Sequence, residues 1–177
     1  MIPSFSTIEI RSAEESDIPL LVDAAKKMFV DTFSQHYTGK PFFDEYVAQA
    51  YTLENFQAAF GDPDQLFWIV WDEHKLAGFV QLAEHRLPDC IKAQDGLEIK
   101  RFYIFQAYHG KGIAQQLMKK CIQKAESEAY PVMWLGVWPQ NDRAIAFYRK
   151  FGFEVCGDHP FILGTETEID WVMKKDM

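Results

Sequence analysis

Between Tyr103 and Ala114 the chain leaves an apolar-rich run, passes two glycines separated by one residue, and enters a helical repeat. This junction restricts what the chain can become more than any other stretch. Residues 97–104 carry Leu, Ile, Phe, Tyr and Ile and read as a short strand. From Ile113 the apolar positions are Ile113, Ala114, Leu117, Met118, Cys121, Ile122 and Ala125, the spacing of one helix face. Gly110 and Gly112 stand where strand gives way to helix, where they allow a sharp turn and the close approach of a bulky ligand. The first-turn amides, unpaired within the helix, point at that ligand, and with the helix dipole they favour a phosphate.

Spacing narrows the choice of phosphate. A Walker loop needs Ser or Thr after its lysine, and Lys111 is followed by Gly112. A dinucleotide fingerprint needs a small residue three positions after Gly112, where Gln115 stands. The run from Ala107 to Ala114 does resemble the pyrophosphate motif of the GCN5-related N-acetyltransferases (GNAT), Q/R-x-x-G-x-G/A, with Ala107 in place of Gln or Arg. His109 falls where that family often has a basic residue, and protonation there would add charge to the phosphate contact. Downstream, a buried strand ends at Pro139, Asn141 or Asp142 opens a helix, and Gly152 stops it. That run is similar to the family's second signature, N-x-x-A-x-x-F-Y-x-K-x-G-F, at each of those positions. Leu97-Glu98-Ile99, Asp31-Thr32-Phe33, Trp134-Leu135-Gly136-Val137-Trp138 and the tail His159-x-Phe161-x-x-Gly164 with Asp170 further resemble the PaiA-like polyamine acetyltransferases.

The resemblance implies acetyl-CoA as cosubstrate and assigns roles. Phe102, Tyr103 and Ile104 would line the pantetheine arm, with the backbones of Phe102 and Ile104 holding it where two central strands part. His109, Gly110, Lys111, Gly112, Ile113, Ala114 and Gln115 would hold the pyrophosphate. Asn141 is carried over as a pantetheine contact, and it reads equally as a helix cap. Tyr148 matches the tyrosine that returns a proton to the departing thiolate; without the motif it reads as part of an apolar stripe with Ala144 and Phe151. Glu98 matches a general base, since an acceptor amine is mostly protonated at neutral pH, and its other reading is a strand carboxylate paired with Lys100. Phe29, Phe33 and Tyr37 would line an acceptor slot with Asp31 or His36 at the rim, or simply pack as core.

The order of elements, β-α-α-β-β-β-α-β-α-β-β, argues for one mixed α/β domain over residues 8–177, a twisted central sheet with helices on both faces. Helices are expected at residues 16–33, 44–60, 113–125 and 141–151, and loops at 35–43, 88–96 and 157–165. A chain of 177 residues, 48% hydrophobic and 15% aromatic, has ample material for a core. Its net charge of −8 argues against a nucleic-acid partner. Residues 1–60 hold nine acids against four bases, which suits either an acidic roof for a cationic acceptor or ordinary solvated helix faces. No apolar run has the length of a membrane span, and Met1-Ile2-Pro3-Ser4 lacks a signal-peptide pattern, so no membrane association and a cytoplasmic location are expected. Cys90, Cys121 and Cys156 lie far apart in sequence and, like the five histidines, show no ligand spacing; neither disulfide nor metal is expected.

The activity expected is acetyl transfer from acetyl-CoA to a small cationic amine, spermidine or spermine, by direct attack in a ternary complex. A peptide N-terminus or lysine as acceptor, and a non-catalytic acyl-CoA sensor, are the other readings. The exposed sheet edges leave a homodimer open.

Overall fold

The central strands are near-continuous apolar runs, and the computed structural model, which describes residues 7–37 and 39–177, arranges all the strands as one sheet. The strands are β1 (Ile8–Ser12), β2 (Gln65–Asp72), β3 (Lys75–Ala83), β4 (Leu97–Ile104), β5 (Val132–Val137), β6 (Glu154–Leu163) and β7 (Glu166–Asp176). Their order is β1-β2-β3-β4-β5-β7-β6. Neighbours run antiparallel except β4 and β5. That parallel pair requires a crossover, which α4 (Ile113–Ser127) supplies. The other helices are α1 (Ile18–Tyr37), α2 (Pro41–Ala50), α3 (Leu53–Gly61) and α5 (Asp142–Lys150).

Period-2 alternation gives the sheet two apolar faces. Val70, Val80, Leu97 and Leu135 face α4 and α5, meeting Leu117, Met118, Cys121 and Ile145. Ile69 and Phe79 face the other way, meeting Leu21, Ala25 and Phe29 of α1, Phe43 of α2 and Phe56 of α3. Burying each such side chain contributes about 1.5–3 kcal/mol, so the helices are fixed by their apolar stripes more than by propensity. At the entry to α1, Arg11 grips Asp17 with both guanidinium nitrogens, at 2.8 and 3.0 Å, and the Glu14 amide adds a third bond at 2.7 Å. Those donors hold the Asp17 carboxyl below its ordinary pKa, with the Arg11 hydrogen bond the largest cause.

Three expectations change. The single helix over 44–60 is two helices, because Thr52 caps α3 by accepting the Asn55 amide at 3.2 Å while the Asn55 side chain donates to Gln49 O at 2.6 Å. Helix α1 runs to Tyr37 and Pro41 opens α2, which leaves little of the expected 35–43 loop. The 157–165 loop is instead mostly strand, since β6 and β7 pair from Glu154↔Lys174 to Leu163↔Glu166. Cys90 and Cys156, distant in sequence, bring their sulfurs to 2.7 Å as free thiols. Residues 1–4, where no signal-peptide pattern is expected, lie outside the described residues. Among the described residues no helix is long and apolar enough to cross a membrane.

Candidate active site

A fork in the sheet sets the site. Strands β4 and β5 pair only at Leu97↔Met133 and Glu98↔Trp134 and then separate. The cause lies on the other edge of β4. There Gln81 pairs with Arg101 but Leu82 with Ile99, leaving Lys100 as an inserted residue. Such a bulge bends its strand and increases the local twist. The Phe105 amide bonds Ala77 O at 2.9 Å, which fixes the phase of the antiparallel ladder. Tyr103 therefore turns its backbone towards β3, while the amides and carbonyls of Phe102 and Ile104 face the fork. Of the three strand residues expected at the coenzyme, these two turn their backbones to the fork. Tyr103 instead sends its phenol to the opposite face, 3.3 Å from the Tyr51 hydroxyl.

At the end of β4 the chain forms the cradle. Gly110 and Gly112 adopt φ of +78° and +80°, a left-handed conformation that favours glycine, and a Cβ on either would meet nothing within 4 Å. The first helical bond of α4 runs from Gln116 N–H to Gly112 O at 3.1 Å. The amides of Ile113, Ala114 and Gln115 thus find no backbone acceptor among the described residues, as expected of a first helical turn. Ile113 contributes backbone alone, since its side chain is core. The His109 ring turns away: Nε2 bonds Ile104 O at 2.8 Å, so it carries the proton. Burial, then Arg143, lowers the His109 pKa, so the ring is neutral at neutral pH and the charge expected of it is not supplied. It latches the cradle to the strand end.

Beside the cradle, Gln115, Arg143, Ala146, Phe147, Lys150 and Phe151 line a groove of about 340 Å³ between α4 and α5. Arg143 is not among the residues expected from sequence, and Lys150 enters there only as a position of the second signature, although their seven-residue spacing puts them on one helix face. Asn141 caps α5, its Oδ1 accepting the Ala144 amide at 3.2 Å. Tyr148, 8% exposed, packs against Phe102, Phe147 and Phe153 with ring centroids 6.3, 5.5 and 5.8 Å away. Burial raises its pKa, so the phenol keeps its proton. A larger hollow of about 540 Å³ lies under the 84–96 loop, lined by Asp64, His85, Asp89 and Asp95 among others. It has neither the fork nor the cradle amides, and the chemistry favours the smaller groove as part of the site.

Glu98 stands on the last rung where β4 and β5 still pair. Its partner is His85 Nδ1 at 2.6 Å, in place of the expected Lys100. On this face of the sheet, Phe29 is core, stacked on Phe43, while Phe33, His36 and Tyr37 gather round Trp138 at 5.8, 4.4 and 6.4 Å. Asp31 turns to solvent and pairs with Lys27 at 2.8 Å, so it forms no part of that rim. Tyr46 and Phe161 meet edge-on at 5.4 Å. Burial pushes the Tyr37 and Tyr46 hydroxyls up to about 12, with Glu168 adding to the first and Tyr103 to the second. The wall is aromatic, neutral in its phenols, and edged by two carboxylates.

A strand fork, a left-handed glycine cradle at a helix N-terminus and a buried phenol are parts that suit acyl-group transfer. The chain belongs to the acetyltransferase (GNAT) family, whose model matches residues 24–153. That membership makes it an N-acetyltransferase with acetyl-CoA as cosubstrate, and the outward-facing amides fit an anionic phosphate. It is 24% identical over 168 residues to an uncharacterised N-acetyltransferase from the pepI 3′ region of Lactobacillus delbrueckii subsp. lactis, covering 95% of this chain and 96% of that one. It is 34% identical over 64 residues to the spermine/spermidine N(1)-acetyltransferase of Bacillus subtilis, 36% of this chain and 42% of the relative. The crystal structure of the PaiA N-acetyltransferase from Thermoplasma acidophilum in complex with coenzyme A superposes with a TM-score of 0.76 at 23% identity, covering 97% of this chain and 99% of that one.

Proposed function

We propose that the protein acetylates a primary amine of a small polycation, spermidine or spermine, by direct attack in a ternary complex. The observation that carries the reading is the wall opposite α4 and α5, where Tyr37, Tyr46, Trp138 and Phe161 surround Glu168 and Asp170. Aromatic faces and carboxylates together suit an ammonium. The local match to a spermine/spermidine acetyltransferase supports the same acceptor.

In this reading the amides of Gly110 and residues 112–115 hold the pyrophosphate, with Lys111 beside them. The backbones of Phe102 and Ile104 hold the pantetheine arm. Asn141, through its Nδ2, adds a polar contact to that arm. Tyr148 returns a proton to the thiolate, and Glu98, tethered to His85, draws one from the acceptor through water.

The test is thiol release from acetyl-CoA with spermidine, spermine, short basic peptides and small monoamines, run beside coenzyme binding by calorimetry. Saturable turnover with the polyamines is expected. Preference for peptides would move the acceptor to a protein amine, and tight coenzyme binding without turnover would make the protein an acyl-CoA sensor.

A further inference from the structure

Gly136 is the point on β5 over which side chains from the two strands beyond it converge. A Cβ at 136 would lie 2.8 Å from His159 Nε2 and 3.7 Å from Asp170 Oδ2. Only a residue without a side chain leaves that spot open. His159 and Asp170 face each other across the β6–β7 ladder. The His159 ring is oriented by Nδ1, which bonds Pro160 O at 3.1 Å. A carbonyl can only accept, so Nδ1 carries the proton, and in the neutral ring Nε2 holds a free lone pair directed over Gly136. Among the described residues none donates a hydrogen bond to the Asp170 carboxylate. Burial raises its pKa and Glu168 raises it further, which only a protonated His159 would oppose. A half-buried carboxylate without a donor is under-satisfied, and a cationic donor would relieve it. The surrounding wall holds back its own cation, since Arg101 is drawn onto Gln81 and over the rings of Phe56 and Tyr51 at 5.0 and 5.6 Å.

We infer that Asp170 and His159, converging over Gly136, form the seat of the acceptor: the carboxylate takes an ammonium of the amine, and His159 Nε2 accepts one of its N–H bonds. Both would make Asp170 a specificity-determining residue. The inference rests on the acetyltransferase reading above and adds to it the groups that select a cation.

Asp170→Asn keeps the shape and removes the charge. With spermidine and acetyl-CoA it should raise the KM for spermidine about tenfold or more, the scale of a lost charged hydrogen bond, and leave kcat and coenzyme affinity within about twofold. Asp170→Glu should recover part of the loss. Gly136→Ala, which fills the opening, should raise the same KM with the coenzyme constant unmoved. An unchanged spermidine KM in Asp170→Asn overturns the seat. Calorimetry with the coenzyme A complex keeps this apart from failure of the catalytic reading. If no amine is turned over, spermidine binding by wild type that Asp170→Asn loses supports the seat, and equal binding by both, or binding by neither, overturns it.

Discussion

The role proposed for Tyr148 requires that it keep its proton, and its surroundings see to that. The ring is enclosed by Phe102, Phe147 and Phe153, and that burial raises the hydroxyl's pKa, so the phenol is a proton donor across the neutral range. Tyr148→Phe keeps the packing and removes the donor. Turnover should fall about 10²-fold, the usual scale for a general acid, with the coenzyme dissociation constant nearly unchanged; full turnover in the variant removes Tyr148 from the chemistry. His109 makes the opposite case, a titratable group kept neutral to hold a carbonyl. Its pKa is lowered in the folded chain, so below about 6.5 the unfolded chain binds a proton that the folded one does not. Its contribution to stability is complete above that pH and declines as pH falls through the window beneath it. His109→Gln should flatten that part of the stability curve in urea titrations between about pH 5 and pH 7, and should leave coenzyme affinity no more pH-dependent than in wild type. Sequence pointed to both residues, but not to the bond that His109 makes, because a ring's direction depends on what it can bond, and Ile104 O engages Nε2 at 2.8 Å.

The glycine cradle was legible as an element because everything that makes it is local: a strand's end, two residues able to take positive φ, and the start of a helical stripe. Gly112→Val forces a β-branched side chain into φ +80°. It should cost about 1–2 kcal/mol of stability and weaken coenzyme binding in calorimetry, whereas wild-type affinity would count against the cradle. The fork was legible only through family likeness, since the bulge at Lys100 that opens it follows from how β4 pairs with β3. The break at Thr52 did carry a sequence signal, a capping threonine three residues before Asn55, lost inside an apolar repeat that continues on both sides. Tertiary pairs left no signal at all. Arg11 and Asp17 tie β1 to α1, and Asp17→Asn should destabilise the fold by about 1.5–3 kcal/mol at neutral pH. Because the Asp17 pKa is depressed, that stability is present above the unfolded value and is lost as pH falls through the folded one, so wild type and variant should converge in acid. Cys90 and Cys156, at 2.7 Å, join the 84–96 loop to β6. A low-molecular-weight disulfide should oxidise them to an intramolecular disulfide, two thiols giving up two protons and two electrons to it. Peptide mapping without reductant should find the Cys90–Cys156 cross-link and leave Cys121 free.

At the scale of the whole molecule the charge is divided between the two substrates. Residues 1–60, which build α1, α2 and most of the acceptor roof, hold nine acids and four bases, whereas residues 100–150, which build the cradle and both helices beside it, hold nine bases and three acids. A net charge of −8 therefore hides a bipolar distribution, negative on the side proposed for the cationic acceptor and positive on the side of the anionic coenzyme. Such a field raises encounter rates for both ligands and is weakened by salt, because the screening length shrinks from about 10 Å at 0.1 M to about 3 Å at 1 M. Spermidine and acetyl-CoA attract each other in solution as well, so the protein's part must be read with each ligand separately. Between about 0.05 and 0.5 M sodium chloride the calorimetric dissociation constant of coenzyme A for the free protein, and that of spermidine for the coenzyme A complex, should each rise several-fold. The chemical step, enclosed between the strands, should hold its rate at saturation. Affinities that stay level while saturated turnover falls would place the salt-sensitive contacts at the reacting groups and remove the field from the account of acceptor choice.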